Sequence, residues 1–414
     1  MRHFVGLCAV LFAAAFAPAW ELVAGIELGG KGVKGTVVEY DPTGPGAVTV
    51  KDTATISTGL ADLQDGKFKA ENIAKSADAV RMLVKQFGDK HGIPAAKVVV
   101  AGSSGIVATN RDELSAAVQK VTGKPLTFIT AEEEVGLTIH GLGLRKQPTP
   151  ANLDIGGGNT KGGYFADGDG KKLVSFAGIP GTVALTAKAK AAGGDYPTAV
   201  AKLADELVSE KLKAVAARDA GWKDQPTIYL TGGSVWAAAT LLHPAKVRDP
   251  LVPLSRKDAE AFLARVVNDP TPDLSGVTDP ALKAAAEAEW KKVTAVYPPE
   301  SLLAGAHILL RLFEELPLDG KPTAFARSGG TAWILAYALA ESTPTPVAAP
   351  PSVSVQSQPF PPVFLNPQPI PPFAPGVVFQ LSPPIFVPAV PCCPPPAYGP
   401  RVRVGLLQRL RGYR

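Results

Sequence analysis

The fold is decided by the segment NLDIGGGNTKGGY, residues 152–164, in which an apolar run leads into an acid and three glycines. Consecutive glycines let the backbone approach a ligand closely, and the β-prone residues after them predict a second strand. The segment IELGGKGVKG, residues 26–35, repeats this order, with Glu27 in the place of Asp154 and a lysine seven residues further on in both. This duplication predicts two related α/β domains that face each other across a cleft.

Length and composition allow two domains with sizeable cores, since the chain has 414 residues of which 46% are hydrophobic. The first 19 residues have the pattern of an export signal: the basic Arg2, an apolar run over 4–16, and Ala17-Pro18-Ala19 as cleavage site. We therefore expect a periplasmic or secreted protein whose mature chain begins near Trp20. The alternative is an apolar first strand behind a misplaced start codon, in a cytoplasmic protein.

Charge is concentrated in the C-terminal tail. No acidic residue follows Glu341, whereas five arginines lie beyond residue 400, so the net charge of +5 belongs to the tail and the body is close to neutral. We predict no face for duplex nucleic acid on the body, because such binding needs clustered Lys and Arg. The three cysteines have neither metal-ligand spacing nor the pattern of a disulfide framework.

The tail, residues 342–414, contains half of the 40 prolines and is predicted to be a disordered, extended tether. Its basic end, residues 405–411, is a candidate contact for an anionic surface such as lipid, cell-wall polymer or polyphosphate. A solvated basic end is the alternative, and the composition favours it.

The order of elements excludes a dinucleotide fold. Gly30, Gly32 and Gly35 satisfy G-x-G-x-x-G, but that fingerprint requires a helix next, and residues 36–40 are strand-like. Helical spacing of apolar residues predicts helices over 73–87, 196–217 and 331–341, among others. A polar segment at 146–150 predicts the connection between an N-terminal domain, 20–147, and a C-terminal domain, 148–341.

Two further clusters are candidates for chemistry. Glu132, Glu133 and Glu134 open a predicted helix, where carboxylates complement the helix dipole, and we assign this structural role to the first two. Gly232 and Gly233 lie between a strand and a helix, where backbone N–H groups bind anions or nucleotides. A plain tight connection is an equal alternative for these two glycines.

The residues resemble a known family. DIGGGNT at 154–160, ITAEEEV at 129–135, IPGTVALT at 179–186 and LLAGA at 302–306 are similar, in order and spacing, to motifs of the exopolyphosphatase and guanosine pentaphosphate phosphatase family. That family belongs to the superfamily of actin, sugar kinases and heat-shock chaperones. The resemblance implies an α/β protein with two ribonuclease-H-like (actin-like ATPase) domains around a central cleft.

The resemblance also implies residue roles in the hydrolysis of a terminal phosphoanhydride. Glu134 falls on the position of the catalytic glutamate, as general base on water, and Asp154 and Glu27 fall on positions that hold Mg²⁺. The phosphate-binding candidates lie in the glycine turns: Gly29, Gly30, Lys31, Gly156, Gly157, Gly158, Asn159, Thr160, Lys161, Gly232 and Gly233.

Departures from the family motifs leave the function open. Lys161 stands where relatives have an acid, Ile106 where they have an arginine, and Glu27 where they have aspartate. The first hypothesis is a hydrolase of polyphosphate or a phosphorylated nucleotide. The second is a polyphosphate- or nucleotide-binding protein without turnover, and the third is a sugar or acid kinase, which export would separate from ATP. A homodimer is a further candidate assembly.

Overall fold

The computed structural model describes residues 20–41, 48–143, 150–167 and 170–342. Three predicted segments lie outside the described residues. They are the signal peptide, most of the domain connection, and the tail from residue 343, which contains Cys392 and Cys393. Among the residues described, no helix combines the length and apolar character needed to span a bilayer.

The first half of the chain forms a five-stranded sheet flanked by helices. Its elements are β1 (Glu21–Leu28), β2 (Gly32–Tyr40), β3 (Thr49–Ser57), the small hairpin β4 (Leu63–Gln64) and β5 (Lys67–Phe68), α1 (Ala70–His91), β6 (Val98–Gly102), α2 (Arg111–Thr122) and β7 (Thr127–Phe128). The sheet order is β3-β2-β1-β6-β7, antiparallel from β1 to β3 and parallel from β1 to β7. Central β1 is buried over its last six residues, whereas exposed and partly buried residues alternate along the edge strand β3.

Helix α1 shows how the local sequence determines its own packing. Its apolar residues recur at helical spacing, and Ile73, Leu83 and Phe87 are buried against the first sheet. The helix ends at Gly92, whose φ of 68° is the left-handed conformation that a glycine adopts at little cost. Helices α1 and α2 cover one face of the sheet and leave the other face for a helix from the far end of the chain.

The second half repeats the plan with six strands. Its elements are α3 (Ala131–Gly143), β8 (Ala151–Ile155), β9 (Asn159–Phe165), β10 (Leu173–Pro180), α4 (Thr182–Ala192), α5 (Tyr196–Ala204), α6 (Glu210–Arg218), β11 (Ile228–Gly232), α7 (Gly233–Leu242), β12 (Leu251–Pro253), α8 (Arg256–Asn268), α9 (Pro280–Val296), α10 (Pro299–Glu315), β13 (Thr323–Ala326) and α11 (Gly329–Ser342). The sheet order is β10-β9-β8-β11-β13-β12. Its largest core cluster lies between this sheet and the helices α4 to α10.

Two helices join the halves. Helix α3, which precedes the predicted boundary, packs against β9 and β10 of the second sheet, whereas α11 packs on β1 of the first sheet. The two helices also pack against each other, so closely that a Cβ on Gly141 would overlap the carbonyl oxygen of Ala332. The division into 20–147 and 148–341 stays a prediction. The structure shows that α3 and α11 form a shared layer between the sheets.

Most predicted elements are present, and their differences from prediction are local. Strand β2 directly follows the first glycine loop, as the rejection of a dinucleotide fold required. Ser255 caps α8 in a reciprocal box, in which the Asp258 N–H donates to the Ser255 hydroxyl and the Ser255 N–H donates to the Asp258 carboxylate. The predicted helix over 196–217 is interrupted by a π-helical turn at Asp205–Ser209. Helix α9 had no counterpart among the predictions.

Candidate active site

The two glycine loops are equivalent hairpins with a cross-strand pair of acid and lysine. Glu27 on β1 lies opposite Lys34 on β2, and Asp154 on β8 lies opposite Lys161 on β9. Directly opposed residues of an antiparallel pair project to the same face, so each acid has its own lysine beside it. The repeat seen in the sequence is therefore a repeat of this paired arrangement.

The glycines close both hairpins in the same way. The N–H of Gly29 donates to the Gly32 carbonyl at 2.8 Å, and the N–H of Gly156 donates to the Asn159 carbonyl at 3.0 Å. These two amides were predicted to bind phosphate, but they stabilise the turns instead. The tip residues of the two loops are Gly30, Lys31, Gly157 and Gly158. Within the described part of the chain their N–H groups make no hydrogen bond, so they are available as anion donors.

Lys161 lies at the centre of the site. Its Nζ is 3.0 Å from Glu134 Oε1, 2.8 Å from Asp154 Oδ2 and 3.2 Å from Asn159 Oδ1, and its side chain is 3% exposed. Burial alone would lower the pKa of Lys161, but the Asp154 and Glu134 carboxylates outweigh burial, and the pKa is raised above its ordinary value. Lys161 is therefore a permanent buried cation shared by two acids.

Asp154 is held from both sides. Thr231 Oγ1 donates to Asp154 Oδ1 at 2.9 Å, while Oδ2 accepts from Lys161. Burial raises the pKa of this carboxyl, but the Lys161 ammonium and the two hydrogen bonds more than reverse the effect, so the pKa lies below its ordinary value. Asp154 is thus a fixed carboxylate at the end of β8.

Glu134 reaches the site from the first turn of α3. Its Oε2 accepts the N–H of Ser104 at 2.8 Å, and its Oε1 pairs with Lys161. The neighbouring Glu133 caps the same helix, because its carboxylate accepts the Thr130 N–H and its own N–H donates to Thr130 Oγ1. Glu132 is exposed. The structure therefore separates Glu134, which is buried beside Lys161, from the two acids that precede it.

Glu27 is the least satisfied acid of the site. Its residue is 5% exposed, Lys34 Nζ lies 3.7 Å from Oε1, and Oε2 has no hydrogen-bond partner within the described part of the chain. Burial raises the pKa of Glu27, and the Lys34 ammonium opposes the shift only in part. Glu27 thus differs from its counterpart Asp154, whose lysine is close and buried.

The two loop tips meet across the cleft. A Cβ on Gly157 would lie 3.9 Å from Lys31 Cε, and a Cβ on Gly158 would overlap the carbonyl of Gly105. Asn159 Nδ2 donates to Ser104 Oγ at 3.1 Å, which ties the second hairpin to the loop after β6. The tip of the second loop therefore lies close to the Lys31 side chain and to the loop after β6.

Lys31 extends from the first loop to the end of α9. Its Nζ lies 3.3 Å from the centroid of the Tyr297 ring and 3.3 Å from the Val296 carbonyl oxygen, both at the C-terminal end of α9. Burial lowers the pKa of Lys31 to about 7. Among the described residues, Lys31 has no carboxylate partner, so it is a cation suited to an incoming anion.

Four predicted phosphate ligands, Asn159, Thr160, Gly232 and Gly233, have other contacts or roles. Thr160 Oγ1 donates to the Pro180 carbonyl at 3.0 Å, and the Asn159 side chain is shared between Ser104 and Lys161. At the third glycine turn, a Cβ on Gly233 would overlap the Tyr297 hydroxyl, so the tyrosine covers the N-terminus of α7. Gly232, with φ of 95°, serves the turn itself. These residues shape the site rather than present free donors.

The acids of the site have few oxygens free for a magnesium ion. All four carboxylate oxygens of Glu134 and Asp154 accept hydrogen bonds or ion pairs from Lys161, Ser104 and Thr231, and only Glu27 retains an unpartnered oxygen. No three His, Cys, Asp or Glu side chains in the described ranges are grouped to hold a metal ion. A dication on Asp154 would also lie beside the Lys161 ammonium. The arrangement does not fit the metal that Asp154 and Glu27 were predicted to hold.

Three residues of the site were not singled out from the sequence. Ser104 and Thr231 were not named, although Ser104 lies just after β6 and Thr231 lies near the end of β11, and both strands end at the cleft. Tyr297 had no local signal, because it reaches the site from a helix that was not predicted. Ile106, the position of the missing arginine, is buried, and its carbonyl accepts from the Arg111 guanidinium.

Two sheet-and-helix bodies with equivalent hairpin loops at a shared cleft define an actin-like ATPase fold. A model of the Ppx/GppA phosphatase family matches residues 44–268, from the residues before β3 to the end of α8. The chain belongs to the Ppx/GppA phosphatase family. The first hairpin precedes the matched segment.

Solved structures agree with this assignment at the level of fold. A Ppx/GppA family member from Aquifex aeolicus is 19% identical, covering 76% of this chain and 97% of its own, with a TM-score of 0.52. An exopolyphosphatase from Cytophaga hutchinsonii is 12% identical, covering 76% of this chain and 98% of its own, with a TM-score of 0.54. No curated protein matched the sequence.

Proposed function

We propose that the protein hydrolyses terminal phosphoanhydride bonds of inorganic polyphosphate or a related polyphosphorylated substrate, with Glu134 as general base. Membership of the Ppx/GppA phosphatase family supports the reaction class. The single observation that carries the assignment of the base is the position of Glu134, buried at the cleft between the Ser104 amide and Lys161.

The substrate would bind at the loop tips. The free N–H groups of Gly30, Lys31, Gly157 and Gly158 are donors for phosphate oxygens, and the Lys31 ammonium adds a charge that can move from the Tyr297 ring to an anion. Because these donors recognise phosphate alone, a chain of phosphates satisfies them without any contact to a base or sugar. Inorganic polyphosphate is therefore the substrate that the donor set fits best.

The reaction consists of one proton transfer and one displacement. A carboxylate has about four lone-pair sites, so Glu134 can accept a hydrogen bond from water while it keeps Ser104 and Lys161. Glu134 takes a proton from this water, the water oxygen bonds to the terminal phosphorus, and the bridging P–O bond breaks. The products are orthophosphate and a polyphosphate chain shorter by one unit. Lys161 does not reach the substrate, and its role is to hold Glu134 and Asp154 in place.

A second candidate is polyphosphate binding without turnover. The observation in its favour is Lys161 itself, which pairs with both acids and compensates the charge that Glu134 would use as a base. Such a protein would retain the tip amides and Lys31 as a binding site.

The mature protein incubated with polyphosphate in ¹⁸O-labelled water distinguishes the two candidates. Hydrolysis predicts released orthophosphate that carries one solvent oxygen per molecule, because water supplies the attacking atom. Saturable polyphosphate binding without released phosphate, with or without Mg²⁺, would refute the hydrolase and support the binding protein.

A further inference from the structure

We infer that this cleft works without a resident divalent metal, because the Lys161 ammonium supplies the positive charge that its carboxylates require. The catalytic consequence rests on the proposed function, but the metal-binding consequence does not. The inference concerns Lys161, which departs from the family motif that the sequence resembles.

The Lys161 ammonium uses all its donors within the site. A lysine ammonium has three donors, and Lys161 Nζ has three acceptors within 3.2 Å, from Glu134, Asp154 and Asn159. The remaining oxygens of the two acids accept from Thr231 and from the Ser104 amide. Lysine thus occupies the position between the carboxylates that a bridging cation would need.

The fold holds Lys161 beside Asp154. It stands opposite Asp154 in the β8–β9 hairpin, so the register of the strands holds the two side chains together. Its side chain is 3% exposed, and burying an ammonium without its partners is strongly unfavourable. A metal that displaced Lys161 from the acids would leave an uncompensated charge in the interior.

The charge of the whole cleft also disfavours a bound dication. Glu27, Glu134 and Asp154 face Lys34 and Lys161, so most of the acidic charge is compensated by the protein. Because a dication near Asp154 or Glu134 would be repelled by the ammonium that contacts both, its affinity there is reduced. The equivalent Lys34 is 38% exposed and 3.7 Å from its acid, so the effect is strongest in the second hairpin.

Mn²⁺ binding measured by electron paramagnetic resonance tests the inference independently of activity. The wild-type protein, Lys161→Glu and Lys161→Gln are titrated with Mn²⁺. Lys51→Glu is the surface control, because Lys51 forms a partly exposed ion pair with Glu39 outside the site. We expect no saturable site in wild type or in the control. We expect Lys161→Glu to gain about one site that Asp154→Asn removes, since a third carboxylate replaces the ammonium.

Each outcome decides for or against the inference. A saturable Mn²⁺ site in wild type that Asp154→Asn abolishes overturns it, and this arm stands even if both Lys161 variants fail to fold. Folded Lys161→Glu and Lys161→Gln proteins without a gained site would also overturn it, because lysine would then not be what excludes the metal. Phosphate release from polyphosphate by wild type should be unchanged by a chelator, and a loss on chelation contradicts the inference. If the protein releases no phosphate under any condition, the proposed function is refuted. The Mn²⁺ titration then decides alone whether the cleft lacks a metal.

Discussion

Lys161→Met removes the buried cation and keeps most of its apolar volume. The substitution leaves Glu134 and Asp154 facing each other in the interior with only the Ser104 amide and the Thr231 hydroxyl as donors. Removing one partner of a buried ion pair costs about 3–5 kcal/mol. Lys161 serves two carboxylates and is 3% exposed, so we expect the upper end of that range. This is a large fraction of the roughly 5–15 kcal/mol that stabilises a typical domain.

The pH dependence gives the prediction its signature. In wild type the pKa of Asp154 is lowered, so its stabilisation is present above the ordinary carboxyl pKa and is lost as pH falls through the folded value. Without Lys161, only the Thr231 hydrogen bond and the more distant Lys34 charge oppose burial, so we expect the pKa of Asp154 to rise above that of the unfolded chain. The variant therefore binds protons on folding, and its deficit relative to wild type should shrink as the pH falls from 7 towards 4.

Urea denaturation followed by circular dichroism at several pH values measures the loss in free energy of unfolding and its pH dependence. The matched control is Lys51→Met, which removes a surface ion pair 41% exposed on the lysine side and should cost about 0–1 kcal/mol. Lys161→Met/Glu134→Gln should recover part of the loss, because only one buried charge then lacks its partner. A Lys161→Met protein as stable as Lys51→Met would refute the reasoning. A stability deficit of Lys161→Met relative to wild type that grows as the pH falls would also refute it.

Two further predictions concern other contacts. Burial lowers the pKa of Lys31 to about 7, against about 10.4 in the unfolded chain, so burying this lysine costs stability below pH 7 and the cost falls as the pH rises. Lys31→Met should therefore be more stable than wild type at pH 6 in thermal unfolding. An advantage that does not shrink towards pH 9 would contradict this. Gly141→Ala should destabilise by about 1–3 kcal/mol because its Cβ would overlap the Ala332 carbonyl. Gly143→Ala, whose Cβ would meet no described atom within 4 Å, should be neutral in the same melts, and equal effects would refute the helix contact.

Much of the fold was predictable because residues close together in the sequence determine its hairpins and helix ends. The hairpins follow from alternating residues around glycines, and Glu27 and Lys34 have the same spacing as Asp154 and Lys161, which places each pair opposite in register. The capping box at Ser255 is equally local. These features depend on residues near in sequence, so one sequence was enough to predict them.

The remainder depends on contacts between distant segments. Nothing near Glu134 in the sequence indicates that the Ser104 amide will hold it, and nothing near Lys31 indicates Tyr297. The sequence marked Lys161 as a departure from the family motif, but only the structure shows that its ammonium joins Glu134 to Asp154. Burial and tertiary geometry determine whether a charge is a ligand, a counter-ion or a surface residue.

The rate of phosphate release from polyphosphate by Glu134→Gln, measured beside Glu132→Gln, tests the central assignment most directly. Both changes remove one acid from the first turn of α3, but only Glu134 is buried beside Lys161, and Glu132 is exposed. We predict a loss of about 10²–10⁴-fold in kcat for Glu134→Gln, with polyphosphate still bound, and a wild-type rate for Glu132→Gln. A folded Glu134→Gln protein that releases phosphate at the wild-type rate would contradict the assignment of Glu134 as the base.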